Sequence, residues 1–352
     1  MFLMVLLAAA GFAYVYLRGI WREQKNYERG LKMIPVLIHL PPMSDDTEVS
    51  GRDARDVVNE NISRAQTLYG ILASTFQKGF KHRLYGQRHI GLEIIASKGL
   101  VHYYAAVPVP LLGVVEQAIV SAYPTARLEE VPEHNIFSQV GRITGTLGGE
   151  MVLKESYAYP IGTYEDIKRD TMQPLLNALS TLTKEDGAGV QILLRPADPA
   201  WRKTATAEAD KKRGKKSSNG GVEGLFGLVG DMFTAVTKPP EIKDDKKDES
   251  KDISSLDQSI IQAIEEKTKQ PGFEVMIRVV ASSNISHRAQ TILNNLVATF
   301  SLYDAPGKNG FKFVPARDLD SFITGYILRF FPQDKSKNIL NATELATLFH
   351  FP

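Results

Sequence analysis

Hydrophobic positions along the chain follow three patterns: one unbroken run, several short dense runs, and longer stretches of helical spacing. The unbroken run is MFLMVLLAAAGFAYVYL, residues 1–17, which carries no charge. As a helix rising about 1.5 Å per residue it reaches about 26 Å, close to the ~30 Å hydrocarbon core of a bilayer. Tyr14, Tyr16 and Trp21 suit the interface, and Arg18, Arg22, Lys25, Arg29 and Lys32 follow, against Glu23 and Glu28. Such a basic flank stays on the cytoplasmic side, so residues 1–21 are expected to form a single-pass anchor with the body in the cytoplasm. The alternatives are a signal peptide, which needs a positive region before its apolar run that this sequence lacks, and a buried helix.

Dense runs and helical spacing then alternate. MIPVLIHLPP (33–42) predicts a strand, 52–79 a long amphipathic helix, and HIGLEIIAS and LVHYYAAVP a hairpin turning at Lys98-Gly99. PLLGVVEQAIVSAY predicts a helix with Pro110 in its first turn, and ARLEEVP a closing strand. The same order returns as GEMVLKESYAYP, a helix over 163–182, GVQILLRPA, GFEVMIRVVAS, a helix over 284–302 and GFKFVP. Strand, helix, strand, strand, helix, strand is the ferredoxin-like order, so the expected fold is α+β, with two ferredoxin-like domains over 33–135 and 140–316. The second hairpin is opened by residues 197–271, and about 203–252 of these have the charge, serine, glycine and proline content of a flexible insertion. SSLDQSIIQAIEEKTK reads as a capped helix returning to the sheet.

RAQTLYGILASTF (64–76) nearly recurs as RAQTILNNLVATF (288–300), with seven of thirteen positions identical. Ala65, Leu68, Leu72 and Phe76 share a helical face, as do Ala289, Ile292, Leu296 and Phe300. The shared letters therefore describe a buried face rather than a duplicated site, with Arg64, Gln66, Arg288 and Gln290 on a solvated helix start.

Composition narrows the function. With 352 residues, 43% of them hydrophobic, the chain is long enough for about two ordinary cores. A net charge of +2 argues against binding nucleic acid through bulk charge, and the absence of cysteine excludes disulfides, thiolate metal sites and cysteine nucleophiles. No phosphate loop is present: Ala209 and Leu302 stand where a glycine would precede Gly214-Lys215 and Gly307-Lys308. GRITGTLGGE does not join a strand to a helix and reads as a bent strand or turn, and the seven histidines lack close metal-ligand spacing. No catalytic, cofactor or metal residue is expected. One segment is a candidate contact for phosphate, of DNA or of anionic lipid: Arg202, Lys203, Lys211, Lys212, Arg213, Lys215 and Lys216. It has no interleaved aromatic residue and acidic residues 244–252 lie in the same insertion, which favours a solvated linker. Apolar GLFGLVGDMF beside it suits either the bilayer surface or docking on the domain.

The C-terminal stretch FITGYILRFFPQDKSKNILNATELATLFHFP (322–352) resembles the segment preceding the motor domain in membrane-anchored conjugation and type IV secretion ATPases. IGLEIIASKGLVHYYAAVP, YPTARLEEV and NIFSQV are similar to the uncharacterised domain found before such motors in candidate-phylum bacteria. Asn338 to Pro352 is the most specific element. The resemblance implies the bacterial inner membrane, an ATPase motor domain in cis or trans, DNA as cargo and a homo-oligomer. The motor's phosphate loop and magnesium-binding strand would follow Pro352, so no ATPase residue is carried over. The resemblance implies that 317–352 is a helical connector toward the motor, with Leu340, Leu345, Leu348 and Phe349 expected to pack against it. The alternative is a stand-alone membrane-tethered scaffold binding protein or anionic lipid.

Overall fold

The computed structural model describes residues 2–41, 54–132, 145–214, 255–332 and 338–352. The first half runs α1 (Phe2–Gly30), β1 (Met33–His39), α2 (Ala54–Ala73), α3 (Phe80–Tyr85), β2 (Ile90–Ser97), β3 (Leu100–Pro108), α4 (Leu112–Ala122) and β4 (Arg127–Glu130). The second runs β5 (Gly145–Leu153), α5 (Tyr164–Ile167), α6 (Met172–Ser180), β6 (Gly187–Pro196), α7 (Trp201–Lys212), α8 (Ser255–Lys269), β7 (Gly272–Ser283), α9 (Ser286–Thr299) and β8 (Phe311–Pro315). The chain then adds α10 (Leu319–Ile327), β9 (Asn338–Asn341) and α11 (Ala342–Leu348).

All these strands join one antiparallel sheet in the order β4-β1-β3-β2-β6-β7-β5-β8, with β9 also paired to β7. The fold is therefore α+β. Where two separate domains were expected, β2 and β6 pair over eight residues, from Ile90 opposite Leu194 to Ser97 opposite Gly187. The halves thus share a sheet and a core.

Alternation along the central strands explains why both faces are covered. Leu92, Ile94 and Ala96 of β2, Val190, Ile192 and Leu194 of β6, and Val275, Ile277 and Val279 of β7 enter the main core with α2, α4, α6 and α9. Their neighbours Ile95, Leu193, Met276 and Val280 point the other way and are also buried. Side chains two apart share a face, so strands buried on both sides read as nearly continuous apolar runs. The hairpin turn falls where expected, with Lys98 at φ 55° and Gly99 at φ 78°, as a two-residue turn with both central φ values positive requires.

Several helices are shorter than their periodicity predicts. The 163–182 stretch divides into α5 and α6, with Lys168 in the left-handed region at φ 54°, and the GEMVLKESYAYP strand ends at Leu153. GRITGTLGGE contributes Gly145–Glu150 to β5, and a Cβ on Gly148 would lie 2.4 Å from the Phe322 ring of α10. Close packing of that helix accounts for the glycine. The expected flexible stretch from 203 is corrected over 203–212, which continues α7. Trp201, Ala205 and Ala209 are buried against Ile261 and Ile264 of α8, a one-face stripe at four-residue spacing inside a highly charged segment. NIFSQV, GLFGLVGDMF and residues 244–252 lie outside the described residues.

Candidate functional site

α1 is a single 29-residue helix that changes character along its length. Residues 4–17 are exposed, uncharged and long enough with the rest of the helix to cross a membrane by length and composition. From Arg18 onward one stripe faces the body. Arg22 donates through Nε to the Leu84 carbonyl at 2.9 Å and through Nη2 to that of Arg83 at 2.8 Å. Asn26 donates to the Phe331 carbonyl, and Arg29 donates to the carbonyls of Tyr85, Gly86 and Gln87 at 3.0–3.2 Å. Tyr27 stacks on Phe330 at 4.5 Å between ring centroids. Gly30 sits so close to the segment after α10 that a Cβ there would lie 2.2 Å from the Leu328 carbonyl oxygen.

The strap, residues 325–332, is itself held by polar side chains on the second face of the sheet. Glu93, Gln191 and Arg278 stand opposite one another on β2, β6 and β7. Gln191 donates to the Tyr326 carbonyl at 2.9 Å and to Glu93 at 2.9 Å, and Arg278 donates to the carbonyls of Gly325 and Phe330. Arg329, at φ 51°, turns its guanidinium onto Glu93 at 2.7 Å. Four residues along the strands, Arg195 pairs with Glu274 at 2.6 Å, donates to the carbonyls of Phe331 and Pro332, and lies 4.0 Å over the Phe331 ring. His89 donates through Nε2 to the Arg329 carbonyl at 2.7 Å. Burial, reinforced by the charge of Arg195, pushes the His89 imidazole down to about 3. Strap carbonyls with no helical or sheet partner are thereby satisfied, as buried backbone requires. The strap links α1 on one side to the centre of the sheet on the other.

Beside this junction lies a cavity of about 910 Å³, bounded by α1, the 76–87 segment and the end of β6. Its charged lining includes Arg18, Arg22, Lys78, Arg83 and Arg195, against Asp198 and Glu274. Arg18 Nε is buried without a hydrogen-bond partner among the described residues. Sequence reasoning missed this site. The signal was available, because residues 61–92 contain no aspartate or glutamate while Lys78, Lys81, Arg83 and Arg88 crowd into one short segment.

The sequence-predicted phosphate contacts do not form one patch. Arg202 and Lys203 open α7 while Lys211, Lys212 and Arg213 close it, about 13 Å away along the helix. Arg202 donates to the Gln270 carbonyl, Lys212 pairs with Asp257 at 3.2 Å, and Arg213 pairs with Asp210 and Glu265. Lys203 and Lys211 are exposed, and Lys215 and Lys216 lie outside the described residues.

The expected motor interface is corrected. Leu340, Leu345, Leu348 and Phe349 are buried in this chain's own core, the most exposed of them at 3%. β9 fills the lane beside β7 beyond the end of β5, placing Leu340 opposite Phe273. α11 follows from a capping box in which the Asn341 side chain accepts from Glu344 N–H and the Glu344 carboxylate accepts from Asn341 N–H. Glu344 also pairs with Lys267 at 3.1 Å, both side chains being essentially inaccessible. Phe349 and Phe351 pack edge-on with Tyr103, and Phe351 with Tyr123. The apolar tail residues are satisfied internally, so they offer no surface to a partner.

One family model, described as a domain of unknown function (DUF8128), matches residues 58–352. No curated protein matches the chain.

Proposed function

We propose, for a chain that belongs to the DUF8128 family of domains without assigned function, that it is a non-catalytic, membrane-anchored assembly module. The observation that carries this reading is α1, whose apolar half stands free while its basic half is clamped through the strap to the sheet. A flexible tether would need none of those contacts. The basic flank supports placing the body on the cytoplasmic side of a bacterial inner membrane. The order β4-β1-β3-β2 and its mirror image β6-β7-β5-β8 support reading each half as a ferredoxin-like unit, fused to the other along β2 and β6.

The resemblance at 322–352 supports a place in a type IV secretion or conjugative DNA-transfer machine, ahead of an ATPase motor in cis or trans and as one subunit of a homo-oligomer. Since the tail is buried, the motor contact would lie elsewhere on the body. A stand-alone scaffold is the second reading, favoured by the cationic cavity, which suits an anionic lipid without any motor. Cross-linking in the native membrane separates them. Capture of an ATPase motor subunit is the expected result, and capture of this chain alone favours the scaffold. Deleting residues 2–17 should move the body from the membrane to the soluble fraction, and unchanged fractionation would contradict the anchor.

A further inference from the structure

We infer that the cavity at the foot of α1 binds the phosphate of an anionic phospholipid headgroup, an inference that rests on α1 spanning a membrane. Position is the first argument. Arg18 directly follows the last residue of the apolar run, and Arg22 lies one turn further, about 6 Å along the axis. The polar headgroup layer occupies the zone immediately outside the hydrocarbon core, so both guanidinium groups fall within it.

Charge and shape are the second argument. Five lysine or arginine side chains line the cavity against two carboxylates, and one of these, Glu274, is already held by Arg195 at 2.6 Å. Arg22 is fixed in place by the carbonyls of Arg83 and Leu84, while Arg18 Nε is buried with no partner among the described residues. A phosphate oxygen meets the need of such a donor, because a buried donor left unmade costs more than a bond gained. His82, in the wall, is held below its usual range by burial and then by the charges of Arg88, Arg29 and Lys81. Phe80, 73% exposed, stands at the rim where the glycerol and first acyl carbons of a lipid would lie. At about 910 Å³ the volume is in the range of small-ligand sites. Surface basic residues alone would attract lipid diffusely, whereas here the basic side chains line one concave site.

The full chain is reconstituted in nanodiscs of phosphatidylcholine with a minority of phosphatidylglycerol, and retained lipid is read by native mass spectrometry. The wild type should retain one phosphatidylglycerol per chain. Arg18→Gln with Lys78→Gln should weaken retention about thirtyfold, as expected for losing two charge-assisted contacts to one phosphate. Lys25→Gln with Lys32→Gln removes the same charge from the flank outside the cavity and should leave retention unchanged. Equal loss in both pairs would mean diffuse attraction and overturn the site. Displacement of the lipid by millimolar inorganic phosphate would make it a site for free anion instead. Failure of the chain to enter pure phosphatidylcholine discs is a separate outcome, which sinks the membrane reading and this inference with it.

Discussion

His89 lies wholly buried under the strap as a neutral donor, its imidazole pushed down to about 3 by burial first and the Arg195 charge second, against the opposing bond to the Arg329 carbonyl. A base with a folded pKa below its unfolded value near 6.5 contributes stability that is complete above about pH 6.5 and is lost as pH falls toward 3. Unfolding free energy should therefore decline below pH 6.5, with His89 adding up to about 1.4 kcal/mol per pH unit. His89→Gln should flatten that slope in urea titrations across pH 4–7, and an identical slope would contradict it. Lys267 and Glu344 form another buried polar knot. Burial lowers the Lys267 pKa and Glu344 opposes this, so a charged pair in the core is held by mutual need. Lys267→Met should cost about 3–5 kcal/mol because Glu344 is left uncompensated. Lys212→Met, removing a half-exposed partner of Asp257, should cost under about 1 kcal/mol in the same denaturation assay. The thirteen-residue repeat was legible at this scale. Ala65, Leu68, Tyr69 and Leu72 are buried at the positions that align with Ala289, Ile292, Leu293 and Leu296. Its polar members differ, since Arg64 is mid-helix on Glu60 while Arg288, in the first turn of α9, pairs with Asp186.

Among elements, β1 to β8 and their order along the chain were readable because most of them are period-two or near-continuous apolar runs. What was not readable was the second face. Glu93, Gln191 and Arg278 each interrupt an otherwise apolar run, and only pairing register shows that they meet. α7 was hidden because three lysines, an arginine, a glutamate and an aspartate set its composition while only Trp201, Ala205 and Ala209 set its packing. β9 and α11 were placed as a connector because apolar residues near the end of a sequence look unsatisfied until a sheet lane is known to receive them. The α1 junction depends on close approach at Gly30. Gly30→Val should push the helix off Leu328 and raise the rate of protease cleavage between α1 and β1, with the sheet's melting temperature little changed. Cleavage at the wild-type rate would show that the contact does not hold the helix.

For the whole molecule, one sheet built from two similar halves carries the strap, and the strap and its neighbours hold α1 through Arg22, Asn26, Tyr27 and Arg29. The same clamp bounds the cationic cavity, so the proposed anchoring and the proposed headgroup recognition depend on one geometry. The chain contains no cysteine, which permits site-specific spin labels without background. Labels at Ile20→Cys on α1 and Val314→Cys on β8, both exposed positions, report the helix relative to the sheet. Pulsed dipolar measurement on the full chain in bilayer nanodiscs should give a single narrow distance distribution. A broad distribution, with helix and body moving independently, would contradict the account.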